Sequence, residues 1–275
     1  MTAAALLDPS PSFSFRRVGA MVRRHWYVLR SSWPRLLELV YWPAVEMLTW
    51  GFLQLYVGQA SGRFALAAGT FIGAVLLWDI LFRGGLGFSI SFMEEMWAHN
   101  IGNLMMSPLT PAEFVASLAV MSIVRLMVGL VPVSLLAIAF FGFNLWALGL
   151  ALAAFFVNLI LTAWSCSLLV SGLILRHGMG AETLAWSLMV ILLPLCAVYY
   201  PVAVLPHWVA AISWCLAPTY VFEGMRALLL HHEFRGDLMI EAFGINLVYL
   251  AAAGFVFRWL LERARVAGTL LSDGE

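Results

Sequence analysis

Four ionisable side chains, Glu46, Asp79, Arg83 and Arg125, lie inside stretches that are otherwise almost wholly apolar. If each stretch is a helix crossing a bilayer, counting about 1.5 Å per residue puts all four in the middle third. An unpaired charge at that depth costs roughly 2.5 to 3.5 kcal/mol on insertion scales, so such groups face protein or water and pair. Asp79 and Arg83 stand at i,i+4 and are expected to pair within one helix. Arg125 then needs a carboxylate from another helix, and by depth Glu46 is the expected partner. Pairs of this kind either fix helix packing or line and gate a pathway. Trp42, Glu46 and Trp50 follow at i, i+4 and i+8 and share a face. An aromatic face around one acid suits an amphipathic substrate path, and equally a lipid interface or helix contact.

Covalent chemistry is poorly provided for. All 15 basic residues are Arg, which removes any phosphate-loop lysine and any Schiff base. Cys166, Cys196 and Cys215 are isolated, with no C-x-x-C spacing, and read as apolar packing residues. His231 and His232 are adjacent, with no acid or thiol at ligand spacing, so no metal site is expected. The sequence around Ser89 lacks the second glycine of a nucleophile elbow, and the nearest base, His177, belongs to the end of another span. No catalytic residue is expected. Fifteen acids balance the fifteen arginines, so nothing points to nucleic acid.

These residues need elements to hold them, and composition says which. Of 275 residues, 63% are hydrophobic and 11% charged, where an ordinary soluble domain carries roughly a quarter charged. The expected fold is an all-α membrane protein of six spans, at residues 36–56, 64–92, 113–141, 146–175, 183–200 and 238–261. The uncharged run between Arg125 and Arg176 is split at the Gly142, Asn144 turn signal. The proline-bearing run after span five, residues 201–236, reads as an external re-entrant segment, whose irregular backbone must be shielded by protein. Gly69 and Gly73 form a G-x-x-x-G pattern for close helix approach or dimerisation. The N-terminus lacks an apolar signal region, so span one is expected in the mature protein.

Arginine placement chooses orientation: ten flank the side holding both termini and three the other, which puts both termini in the cytoplasm. Before span one, residues 14–33 repeat Phe15, Val18, Val22, Trp26, Leu29 and Trp33 at three- and four-residue steps, with arginines mostly elsewhere around the helix. That is an interfacial amphipathic helix. The cytoplasmic loop 93–112 is too apolar to be a solvated connection. Trp97, Ile101, Leu104 and Met105 recur at helical steps before Pro108, which suits a short helix laid into a groove on a partner or tucked against the membrane.

Three segments together resemble the ABC-2-type permeases, the membrane subunits of ATP-binding-cassette exporters. They are the basic amphipathic helix, the Ile101-Gly-Asn-Leu-Met-Met-Ser-Pro-Leu-Thr-Pro run, and the Tyr200-Pro-Val-Ala-Val-Leu-Pro-His-Trp segment with Leu216-Ala-Pro-Thr-Tyr and Glu223-Gly-Met-Arg-Ala-Leu. The loop differs from many relatives in carrying Met93-Glu-Glu-Met-Trp-Ala-His where they have a basic stretch. The resemblance implies a homodimer in the bacterial inner membrane, among membrane lipids, bound to a separate cytoplasmic ATPase. No cofactor is expected in this chain; ATP and Mg belong to the ATPase. Coupling then falls to Trp97, Ile101, Leu104, Met105, Met106, Pro108 and Leu109. The substrate path or gate falls to Trp42, Glu46, Trp50, Asp79, Arg83 and Arg125. Tyr200, Pro201, Pro206, Trp208, Pro218, Glu223 and Arg226 form the external segment. The expected activity is export of an amphipathic or lipid-linked substrate. An ion-coupled secondary transporter is the alternative, although no inverted repeat is found, with an intramembrane enzyme behind it.

Overall fold

A computed structural model describes residues 13–61, 70–178, 180 and 183–267, and among these the regular structure is all helical. The elements are α1 (Phe15–Arg30), α2 (Trp33–Ser61), α3 (Thr70–Trp97), α4 (Ile101–Met106), α5 (Pro111–Phe141), α6 (Leu150–His177), α7 (Thr183–Leu195), α8 (His207–Ser213), α9 (Ala217–His231) and α10 (Gly236–Ala267). Four of them, α3, α5, α6 and α10, are long and apolar enough to cross a membrane. These helices fit a multi-pass membrane protein. α2 is long enough at 29 residues, but it is not among the four. α7 has 13 residues, about 20 Å of helix, short of the expected 183–200 span.

α3 is apolar on every side and accordingly central, with 83% of its apolar stretch buried. It packs against α2, α5, α6, α7 and α9. Two apolar cores follow it, one around Leu77, Leu126, Phe155 and Phe222, the other around Phe88, Phe92, Phe114 and Phe257 near the α3–α5 connection. α10, by contrast, turns Ile240, Val248 and Phe255 outward. Gly73 meets Leu229 and Phe143 of its own chain, so it serves packing within one subunit; Gly69 lies outside the described residues.

Local signals account for the helix ends. α5 starts with a capping box in which the Thr110 hydroxyl accepts from the Glu113 N–H and Glu113 accepts from the Thr110 N–H, with Pro111 in the first turn. It stops at Gly142, whose φ of 67° is open to glycine. A 3-10 turn, Leu145–Leu148, occupies the expected start of span four, and α6 begins only at Leu150. In α2, Pro43 removes the N–H that would bond the Leu39 carbonyl. That oxygen packs on Gly129 of α5, where an added Cβ would meet it at 2.5 Å. α6 and α10 are joined by a buried polar set: Thr162 donates to Asn246 at 2.6 Å, and Asn246 donates to the Asn158 carbonyl at 2.9 Å.

Candidate functional site

The amphipathic helix α1 forms as expected, but with a different inward face. Val18, Met21, His25 and Leu29 are buried, while Phe15 and Trp33 are exposed, Trp33 having become the first residue of α2. Arg17 and Arg24, seven residues apart, turn toward protein. Arg17 donates to Glu113 at 2.6 and 2.9 Å, and this hydrogen bond raises its pKa above the ordinary arginine value. Glu113 also accepts from the Ser14 N–H at 2.6 Å. Arg24 meets Glu95 at 2.5 Å, and Glu95 also accepts from the Asn100 amide at 2.8 Å. His25 lies 3.3 Å from Glu95, its ring between the Met21 and Ser91 carbonyls. α1 is thus tied to both ends of the segment that carries α4.

That segment departs from the expected single helical face. α3 runs on to Trp97, and His99, with φ of 48°, breaks the helix before α4 begins at Ile101. Trp97 therefore belongs to α3. Ile101 is 3% exposed and part of the second core, so it offers nothing to a partner. Leu104 and Leu109 pack against the same core, half-buried. Met106 and Pro108 are exposed, and the Met105 side chain lies outside the described residues.

Arg125 pairs with Glu94 at 2.7 Å, not with Glu46. Its backbone lies level with Gly87, but the long side chain reaches toward the end of α3, where Glu94 stands two turns on. Glu94 takes a second arginine, Arg35 at the start of α2, at 3.2 Å. The expected Asp79–Arg83 pair is present at 2.9 Å. Glu46 accepts from the Tyr199 hydroxyl at 3.3 Å, and that ring stacks on Trp50 at 4.3 Å.

A cavity of about 810 Å³ brings most of these groups together. α2 contributes Arg35, Glu38, Trp42 and Glu46 to its wall; α3 contributes Phe82, Arg83, Glu94 and Trp97. Arg125 comes from α5 and Trp186 from α7. Of the sequence-derived path residues, Trp42, Glu46, Arg83 and Arg125 line it. Trp50 and Asp79 stand outside the lining, Asp79 behind Arg83. Glu38, Phe82, Glu94 and Trp186 were missed. For Glu38 a signal existed, since Glu38, Trp42 and Glu46 follow at i, i+4 and i+8.

Beyond the cavity, the chain between α7 and α9 is held by side chains. Glu223 accepts from the Val202 N–H at 2.8 Å, and Arg226 donates to the Val198 carbonyl at 3.2 Å and to Glu223 at 3.0 Å. The Tyr200 hydroxyl donates to the Pro194 carbonyl at 2.8 Å. Pro201 and Pro206 flank the 3-10 turn Val202–Val204, Trp208 lies exposed on α8, and Pro218 sits in the first turn of α9. Among the described residues no cluster of His, Cys, Asp or Glu is arranged to hold a metal ion. No family model matches the chain, and no curated protein matches it.

Proposed function

We propose that this chain is the membrane permease subunit of an ATP-driven exporter of the ABC-2 type, a homodimer working with a separate cytoplasmic ATPase in the bacterial inner membrane. Six segments cross on this reading: the four long apolar helices together with α2 and α7. Both termini are cytoplasmic, and α8 and α9 form an external excursion before α10. The short α7 is completed by residues 196–206, an irregular stretch in which the Val202 N–H and the Val198 carbonyl find Glu223 and Arg226. The substrate is amphipathic or lipid-linked, matching a cavity with aromatic walls and fixed charges. The path includes Trp42, Glu46, Arg83 and Arg125. ATP and Mg are bound by the ATPase.

One observation carries the reading. Glu94 and Glu95 are adjacent at the end of α3, yet Glu95 is held by α1 while Glu94 lines the cavity between Arg35 and Arg125. A force applied to α1 and α4 from the cytoplasm therefore reaches the cavity through one helix end. Met106, exposed on α4, is the side chain best placed to meet the ATPase.

Co-purification of the tagged chain from its native membranes, with mass spectrometry of bound proteins, tests this. An ATPase is expected with the native chain and is lost from Met106→Glu at an unchanged melting temperature. Absence of any ATPase under gentle extraction, with uptake or efflux that follows an ion gradient, would overturn the reading in favour of a secondary transporter.

A further inference from the structure

The charges lining the cavity are not equally satisfied. Each arginine there already holds an acid: Arg83 has Asp79, while Arg35 and Arg125 share Glu94. Two carboxylates have no such partner. Among the described residues neither Glu38 nor Glu46 makes an ion pair, and the one hydrogen bond found for Glu46 comes from a neutral tyrosine hydroxyl. Counting Asp79 behind the wall, three arginines stand against four acidic side chains, one acid more than the arginines, and Arg83, which holds Asp79, also acts on Glu46 at longer range.

Aromatic faces complete the arrangement. Trp42 lies on α2 between Glu38 and Glu46, one helical turn from each. Phe82, Trp97 and Trp186 line the same cavity from α3 and α7, with Phe82 and Trp186 edge to face at 6.0 Å. An aromatic face attracts a cation through its quadrupole, and the attraction is stronger where water is displaced. An anion entering here would have to share an arginine already paired with an acid and would meet Glu38 and Glu46. A cation breaks nothing.

We infer that the cavity selects amphipathic organic cations, with the charged centre held between Glu46, Glu38 and the Trp42 face and the apolar body against Phe82, Trp97 and Trp186. The inference rests on reading this cavity as the transport path. It adds the sign of the substrate's charge, which the bare description of an amphipathic cargo leaves open.

Tetraphenylphosphonium and tetraphenylborate have nearly the same size and shape and opposite charge, so their comparison isolates the sign. Binding of each radiolabelled ion to the immobilised full-length protein is measured by scintillation proximity, with excess unlabelled ion defining the specific component. The phosphonium is expected to bind at least about tenfold more tightly than the borate, and Glu46→Gln to lose about tenfold of that affinity, as removal of a near charge in a partly dehydrated site requires. Glu46→Gln keeps the shape and the Tyr199 contact, and Glu46→Asp, which keeps the charge, should recover much of the affinity. Glu38→Gln, nearer the rim, should lose less. Borate binding as tight as phosphonium binding would overturn the inference, as would a folded Glu46→Gln that binds phosphonium like the native chain. Neither measurement needs an ATPase. A chain that retains its ATPase but prefers borate refutes the cation selectivity alone, whereas one that prefers phosphonium but carries no ATPase refutes only the energy source.

Discussion

Glu94 and Arg125 form a buried ion pair between the end of α3 and the body of α5, with side-chain exposures of 9% and 5% at 2.7 Å. Replacing Glu94 by Gln removes the charge and leaves Arg125 with no ion-pair partner among the described residues, where its Nε already has no hydrogen-bond partner. Breaking a buried pair in this way costs about 3–5 kcal/mol. Arg125→Met should cost less, because Glu94 keeps Arg35, although that side chain is 48% exposed and its contact is screened. The double variant should cost far less than the two singles added, since apolar or neutral groups of similar size leave no buried charge behind. A coupling of about 2–3 kcal/mol is expected, at the upper end for residues in direct contact. In a melting experiment in lipid nanodiscs, Glu94→Gln should lower the midpoint by about 6–20 °C, taking roughly 2–4 °C per kcal/mol for a chain of this size. The double variant should recover part of that loss. Additive shifts, or a Glu94→Gln midpoint equal to that of the native chain, would refute the pairing and with it the link from α1 to the cavity. A pairing of Arg125 with Glu46 makes a different prediction: Glu46→Gln, not Glu94→Gln, would then show the coupling.

Two further outcomes follow from backbone contacts. Gly129→Ala places a methyl 2.5 Å from the Leu39 carbonyl, so α2 must move off α5; a loss of about 1–3 kcal/mol is expected, and a native-like melting curve would refute the contact. Arg226→Gln withdraws the charged donor from the Val198 carbonyl and from Glu223, at a cost of about 1–3 kcal/mol, and should speed proteolysis within residues 196–206; unchanged cleavage there would refute the clamp.

How much of this was legible in the sequence depends on the range of the interaction. The Asp79–Arg83 pair is four residues apart on one helix, and α-helical geometry alone brings the two together. The start of α5, expected at residue 113 and found at Pro111, carries a local signal that the sequence reading did not use, the capping box of Thr110 and Glu113 with Pro111 in the first turn. The partner of Arg125 was not legible. Depth along a helix locates a Cα, but an arginine carries its charge several ångströms further, and here it points toward the end of α3 rather than the midplane. Trp97 and Ile101 failed differently. Their spacing suits one amphipathic helix, and nothing in the local sequence marks His99 as a residue with positive φ. Once the chain turns there, Trp97 faces the cavity and Ile101 the core. Arg17 and Arg24 look like a solvated basic face until Glu113 and Glu95 are brought beneath them by the α3–α5 turn, which is a tertiary event.

The placement of those two arginines bears on what α1 can do. A surface helix held to a membrane by its apolar face alone can slide or tilt at little cost, because lipid contacts are interchangeable. Here Arg17 is fixed to the first turn of α5 and Arg24 to the last turn of α3, so α1 cannot shift along its axis without breaking one of two ionic contacts. Glu113 is also the acidic member of the α5 capping box, accepting from the Thr110 N–H, so loss of Arg17 acts on the start of that helix as well as on α1. Glu95 likewise holds Asn100, the residue before α4. Two carboxylates thus carry both the helix-end geometry and the α1 contacts, and a displacement imposed on α1 must be shared by α3, α4 and α5. The Glu94 arm extends the same helix end to α2 through Arg35. Since α2 and α3 supply most of the cavity wall, a movement that begins in α1 changes the shape of the cavity unless one of these pairs gives way first.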